Sequence, residues 1–416
     1  MARRRVVLRG VVAALVSVQL SGCWLQPDYD GGHTRWNPSE QKLTAANVAS
    51  LTPRWSVDFP ARFQPDPLIS GGKVLVGRQD STAAGVLALD AATGATLWDR
   101  DASSPTATDT FTNHPATIVD GEVWSDWYGA VGNECVFGLT RLDRDGNVLG
   151  TDRSGYTATT PVQSGDHIVE VHTTVCPFPG LPPATLSVRD ADTRQVLWTA
   201  GSLNFGNVTV SQGLVITDAG AFPLAGCGAP TCSPIWQLDL SSGFHPVVVG
   251  PGGQVFVVKP GFGGPNGEVR AYSRTDGTQA WRLAFNAVSA EIAVDDEHLY
   301  VAASNNGFGA GYLQVYDIDG CGAATCQPLW SARAADGAWA PTVAGDVVYV
   351  AGNDNRVHAF RADGCGFFIC GEIGSVGVDG LGIGSIAVAE GRLVVSSMVT
   401  FDARFKLTAF APAGIP

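Results

Sequence analysis

Apolar and polar residues alternate in short runs along most of this chain: Lys73–Arg78 reads KVLVGR, Asp346–Gly352 reads DVVYVAG and Arg392–Ser397 reads RLVVSS. A period of two fits extended strands rather than helices. The runs assemble into a larger unit. An apolar strand follows a Pro or small residue, then come a Gly/Asp turn, a second β-rich strand, a variable loop, a third strand, and a turn into a fourth strand that often carries Leu-Trp. The clearest copies close with Val86–Trp98, Leu186–Trp198, Val269–Trp281 and Leu313–Trp330. First strands near Leu68, Ala116, Val162, Val208, Val247, Ile292, Thr342 and Ile386 mark eight repeats spaced 39 to 50 residues apart.

Four short strands with their loops need about this period, and such units are propeller blades. The expected fold is all-β: an eight-bladed β-propeller of four-stranded antiparallel blades. The last repeat stops at Pro416 without its Leu-Trp strand, and a matching strand stands at the other end as Pro53–Phe59, PRWSVDF. That N-terminal strand is expected to complete the last blade and cover its edge. A short helix from about Thr44 to Leu51, with Thr44 as N-cap, should precede it. Composition agrees, with 51 Gly, 24 Pro and only 16% charged residues. The net charge is −13, and only 4 of the 26 basic residues are Lys, which argues against a nucleic-acid partner.

The first 22 residues read as an address. Arg3, Arg4, Arg5 and Arg9 precede an apolar run from Val11 to Leu20, too short to span a bilayer and suited to the core of an export signal. The run ends in Leu20-Ser21-Gly22-Cys23, which resembles the bacterial lipobox. The resemblance makes residues 1–22 a lipoprotein signal peptide and Cys23 the lipidated first residue of the mature chain. Residues 23–38 are then expected to be a tether and 39–416 the propeller. More than one acyl chain gives stable anchoring, so the expected location is extracytoplasmic, on the bacterial cell membrane. Removing four Arg and no acid leaves 22 basic against 39 acidic residues, a balance of −17 that disfavours a patch for anionic head groups.

Nine Cys are present, and setting Cys23 aside leaves an even eight, as a disulfide-forming compartment favours. Six stand in three similar segments, Gly226–Trp236 (GCGAPTCSPIW), Gly320–Trp330 (GCGAATCQPLW) and Gly364–Ile373 (GCGFFICGEI). Cys227 with Cys232, Cys321 with Cys326 and Cys365 with Cys370 should each close a small loop, contributing about 2 kcal/mol in the loop-entropy picture. Cys135 and Cys176 are left to pair across neighbouring repeats. No His stands beside these pairs, which disfavours zinc.

Ala88-Leu89-Asp90-Ala91-Ala92-Thr93-Gly94 followed by Leu97-Trp98 resembles the repeat of pyrroloquinoline-quinone (PQQ) propellers. Arg35-Trp36-Asn37 through Asn47-Val48 to Trp55 is similar to the opening segment of that superfamily. The resemblance covers almost the whole mature chain. It implies an eight-bladed ring with Trp residues docked between blades, the fold of quinoprotein dehydrogenases and of non-catalytic BamB-like assembly lipoproteins. Read from their own chemistry, Trp98, Trp198, Trp281 and Trp330 are packing anchors as well.

Quinoprotein alcohol dehydrogenases hold PQQ between a Trp floor and a disulfide of adjacent Cys, with calcium on acidic and amide ligands and an Asp base nearby. This sequence has no adjacent Cys pair and no recognisable calcium-and-base segment. The resemblance therefore carries the fold and not the activity. Asp143–Asn147 and Asp317–Gly320 resemble pieces of calcium loops but sit where Asp-Gly turns belong. The expected function is a non-catalytic envelope lipoprotein, a monomeric scaffold or binding module for an envelope protein or glycan, with no catalytic residue, cofactor or metal. The alternative is a PQQ-dependent dehydrogenase of alcohols or sugars, using PQQ with calcium.

Loops that enter the innermost strands gather at one mouth of a propeller's channel, and loops between second and third strands open on the same face. His114, His245 and Trp339 stand in the first set, and Trp127 in an aromatic stretch of the second. These four form the expected binding face. The small disulfide loops, as third-to-fourth-strand turns, should lie on the opposite face.

Overall fold

In the first blade Leu68–Ser70, Lys73–Gln79, Ala84–Asp90 and Thr96–Asp101 pair in sequence order as one antiparallel sheet, with Leu75 opposite Ala88 and Ala88 opposite Trp98. The structure is a computed structural model that describes residues 22–415 apart from 62–64, 80–82, 104–107, 112–115, 132–133, 154–155, 158, 174–183, 204–207, 218, 239–246, 260–266, 286–288, 305–309, 324 and 401–403. The described residues form eight such sheets, the blades of an eight-bladed β-propeller. In the fourth blade the outer strand is reduced to a bridge between Ala221 and Trp236.

Inner and outer strands are buried differently. Val347–Gly352 is buried at every position because each of its faces packs against a neighbouring blade. Outer strands are largely exposed, and in Thr96–Asp101 only Trp98 is buried. The cores are therefore shared between blades: Phe405 and Leu407 of the last blade pack into one cluster with Leu75 and Leu89 of the first.

That last blade is completed as expected by the N-terminal strand Thr52–Pro60, which pairs antiparallel with Arg404–Ala411. The expected helix before it is only a 3-10 turn, Val48–Ser50. Thr44 caps nothing with its side chain; its backbone amide donates instead to Asn47 Oδ1 (2.9 Å).

Trp residues join the blades. The indole N–H groups of Trp55, Trp98, Trp198 and Trp236 donate to the carbonyls of Ala91, Arg144, Leu224 and Arg274 in the following blade (2.9, 3.1, 2.9 and 2.9 Å). Each ring lies flat on a turn glycine, as do Trp281 on Gly320 and Trp330 on Gly364. These six glycines have φ between +69° and +83°, and a Cβ on any of them would stand 2.6–2.8 Å from the indole. Both the turn and the close approach require Gly.

Three disulfides form as expected, Cys227–Cys232, Cys321–Cys326 and Cys365–Cys370. Each loop also pairs in parallel with the outer strand of the preceding blade, Thr231 with Thr199, Thr325 with Arg282 and Ile369 with Ser331, and so covers an edge. The side chain of Cys135 and all of Cys176 lie outside the described residues.

Candidate functional site: a central cavity floored by the N-terminus

Residues 23–38 are not the tether expected from the sequence. From Trp24 to Asn37 the chain circles the propeller axis and bonds to an innermost strand, or its hairpin partner, in every blade. Trp24 and Ile69 exchange backbone hydrogen bonds (2.7 and 2.9 Å). Ile118 N–H donates to Leu25 O (2.9 Å), and Gln26 Nε2 donates to Gln163 O (3.3 Å). The amides of Val210, Val249, Val294 and Val343 donate to the carbonyls of Gly31, Gly32, Thr34 and Arg35 (2.6, 2.9, 3.0 and 2.8 Å). Asn37 Nδ2 completes the circuit on Val388 O (2.8 Å). On the axial side of the inner strands the blades supply no strand of their own; the strap satisfies amides that would otherwise be buried alone, and its Trp36–Asn37 pairs in parallel with the innermost strand of the seventh blade.

The winding is tight. Asp28, Tyr29, His33 and Arg35 have φ of +56°, +82°, +55° and +53°, a region uncommon outside Gly. Asp30 holds the bend, accepting from the amides of Gly32 and Thr34 on Oδ1 and from Thr34 Oγ1 on Oδ2, all at 3.0 Å. Trp24 is buried and meets Tyr29 edge-on, with ring centroids 5.2 Å apart.

The strap floors a cavity of about 130 Å³ on the side where the innermost strands begin, lined by Asp28 and Arg35 below and by Asp66, Glu291, Thr342 and Ser385 from the ring. Arg35 bridges the two levels, with Nε 2.7 Å from Asp28 Oδ1 and Nη1 2.5 Å from Glu291 Oε2. Glu291 Oε2 also accepts the Ala340 amide (3.1 Å). His33 stands behind Asp28 (3.5 Å) and bonds Val208 O through Nε2 (3.0 Å).

Burial works against the charge on Asp28, but Arg35 and His33 outweigh it and hold the carboxyl well below its usual range. Burial likewise opposes charge on His33, and Asp28 overcomes it, so the imidazole is shifted up. At Asp66 a hydrogen bond with Ser385 and the charge of Arg35 offset only part of the burial. Burial, with repulsion from Asp28, pushes its carboxyl up to about 7. Ser385 Oγ donates to Pro65 O (2.9 Å), meets Ser396 Oγ (3.1 Å) and is also a hydrogen-bond neighbour of the Asp66 carboxyl. The arrangement is a polar pocket in which the Asp66 carboxyl stands beside the Ser385 hydroxyl, whose own proton goes to Pro65 O.

Of the four residues expected to form a binding face, the structure describes Trp127 and Trp339. Trp127 lies in a strand, Glu122–Val131, and not in a loop. It is fully buried, its indole N–H on Thr140 Oγ1 (3.1 Å) and the Arg153 guanidinium 5.8 Å from its ring, so it is core. Trp339 is half-buried against the core of the seventh and eighth blades, beside the cavity residue Ala340. His114 and His245 lie outside the described residues. Asp28, Arg35, Asp66 and Glu291 escaped sequence reasoning. The available signal was composition: a tether has little use for Trp24, Tyr29 and Trp36 within so few residues.

An eight-bladed ring with Trp-on-Gly joints and a polar central cavity is a PQQ-like β-propeller. The chain belongs to the family of outer membrane protein assembly factor BamB, which matches residues 27–170 and 265–365, more than half of the sequence, beginning inside the strap. Among solved structures it is similar to quinohemoprotein alcohol dehydrogenase ADHIIG from Pseudomonas putida, at 12% identity over 95% of this chain and 81% of that one, with a TM-score of 0.63. BamB from Moraxella catarrhalis aligns at 13% identity over 86% of this chain and 99% of its own, with a TM-score of 0.54. The computationally designed Ika8 protein aligns at 14% identity over 87% and 98%, with a TM-score of 0.58. These likenesses establish a shared fold and nothing of shared activity. No curated protein matches by sequence.

Proposed function

We propose that this protein is a non-catalytic lipoprotein of the bacterial cell envelope, held at the membrane through Cys23, whose propeller is a scaffold or binding module for an envelope protein or glycan. The observation that carries this reading is the strap. It crosses the channel, ties Arg35 to the site's own carboxylates, and floors a cavity that among the described residues measures about 130 Å³, against roughly 300–1,000 Å³ for ordinary small-molecule sites. The ring then offers its loops and rims for recognition.

The likeness to a quinohemoprotein alcohol dehydrogenase supports a second reading, in which PQQ occupies the channel. The residues present do not fit that group. PQQ is a planar tricarboxylate, and the cavity sets Asp28, Asp66 and Glu291 against a single guanidinium that is already paired. Among the described residues no cluster of His, Cys, Asp and Glu suits a metal ion, and the sequence has no adjacent Cys pair.

The anchor is tested by fractionation. Globomycin should block processing of the full-length protein, and Cys23→Ala should leave the membrane fraction. Unchanged fractionation of Cys23→Ala would remove the anchor from the account.

A further inference from the structure

Three loops of this ring share one geometry and differ in chemistry. The disulfide loops all pair in parallel with the preceding blade, and the 2.9 Å bond from Thr199 N–H to Pro230 O recurs as a 2.8 Å bond from Ser331 N–H to Phe368 O. After the first Cys-Gly, two of the loops carry Ala-Pro-Thr and Ala-Ala-Thr, and the third carries Phe-Phe-Ile. Small residues therefore suffice for the loop's structural task. The third loop nevertheless holds Phe367, Phe368 and Ile369 at 78%, 57% and 73% exposure, with exposed Leu329 on the segment it pairs with. Nothing in the fold requires these side chains.

Their position is informative. An antiparallel blade places its first-to-second and third-to-fourth turns at one end. Cys23 lies at that end, 3.4 Å from Oγ of Ser70, which precedes the Gly71-Gly72 turn, and 3.6 Å from the Glu390 carboxylate in the matching turn of the eighth blade. Leu97, Leu197 and Ile235, each exposed and each just before a docked Trp, begin outer strands at the same end of the first, third and fourth blades. Exposed apolar side chains of several blades thus stand at the same end of the ring as Cys23, whose thiol is buried there, and the cavity lies toward the other end.

We propose that this turn face lies against the lipid bilayer and that the Phe367-Phe368-Ile369 loop enters its interfacial layer as a second attachment beside the acyl chains of Cys23. A bilayer is chosen as the occupant on the lipid-anchor reading, and because apolar residues spread over several blades suit a planar surface. Asp363, paired with Arg361, and Glu372, paired with His358, flank the loop, so the contact is apolar, favours zwitterionic lipid and strengthens with salt.

The test uses the chain from Cys23 onward, which contains every described strand, made without its leader, oxidised, and sedimented with phosphatidylcholine vesicles. Its comparison is Phe367→Ala, Phe368→Pro, Ile369→Thr, the residues the first loop holds in the same geometry. The variant should keep its thermal midpoint and disulfides and partition about tenfold more weakly. Equal partition by both chains, or none by either, overturns the proposal and leaves Cys23 lipidation to be judged by globomycin. Loss of a cross-linked purified protein in place of vesicle binding assigns the patch to a protein and overturns it too.

Discussion

The carbonyl of Gly31 accepts a 2.6 Å hydrogen bond from the amide of Val210, and a Cβ on Gly31 would stand 2.7 Å from both the Val210 oxygen and Val162 Cγ1. The strap can pass here only as glycine, because a backbone carbonyl cannot rotate away as a side chain does. Gly31→Ala should therefore destabilise the protein by about 1–3 kcal/mol, the range of overpacking changes. Gly201→Ala, with nothing within 4 Å of its added carbon, should be nearly neutral. Thermal unfolding of the two variants checks this, and equal midpoints would mean that the strap is not held where it is described.

The blade joints make a graded prediction. Trp198 is buried on Gly226 and donates to Leu224 O (2.9 Å). Trp198→Phe keeps an aromatic face but loses that bond, at about 1 kcal/mol. Trp198→Ala opens a cavity between blades and should cost about 3–5 kcal/mol. Denaturant titration should give that order.

Asp66 sets a pH dependence. Its folded carboxyl titrates near 7 against 3.8 in the unfolded chain, so between these values the folded state binds more protons. Stability then falls as pH rises from about 4 to about 7, and this contribution is flat above. His33, shifted up, also loses its contribution as pH rises, so the slope of the parent alone is ambiguous. Asp66→Asn isolates the carboxyl. The variant should melt above the parent at pH 8 and match it near pH 4, as calorimetry across that range would register.

Each small disulfide closes a short loop, so reduction should remove about 2 kcal/mol per bridge by giving the unfolded chain more conformational freedom. Non-reducing peptide mapping should recover Cys227 with Cys232, Cys321 with Cys326 and Cys365 with Cys370. Free thiols at these positions in exported protein would contradict the pairing.

The ring was legible in the sequence because the blades repeat the same demands: apolar inner strands throughout and, at six of the eight junctions, a Trp that lies on a positive-φ Gly in the next blade's third-to-fourth turn. Trp98 with Gly146 and Trp198 with Gly226 are local rules repeated at a fixed period. The strap obeys no period. Its bonds run mainly through its own carbonyls, on Leu25, Gly31, Gly32, Thr34 and Arg35, and a carbonyl carries no residue identity. The cavity was hidden for a related reason: Asp28, Asp66 and Glu291 come from distant parts of the chain and meet only when the ring closes. Trp127 was misplaced because Ser125 and Asp126 beside it look like loop residues, although both are buried.

Titration of the purified, oxidised protein with PQQ and calcium is the most direct test of whether this ring is a scaffold or an enzyme. After gel filtration the account predicts no retained quinone absorption band and no dye reduction with alcohols or sugars. Stoichiometric retention of the cofactor, with alcohol- or sugar-dependent turnover, would contradict it.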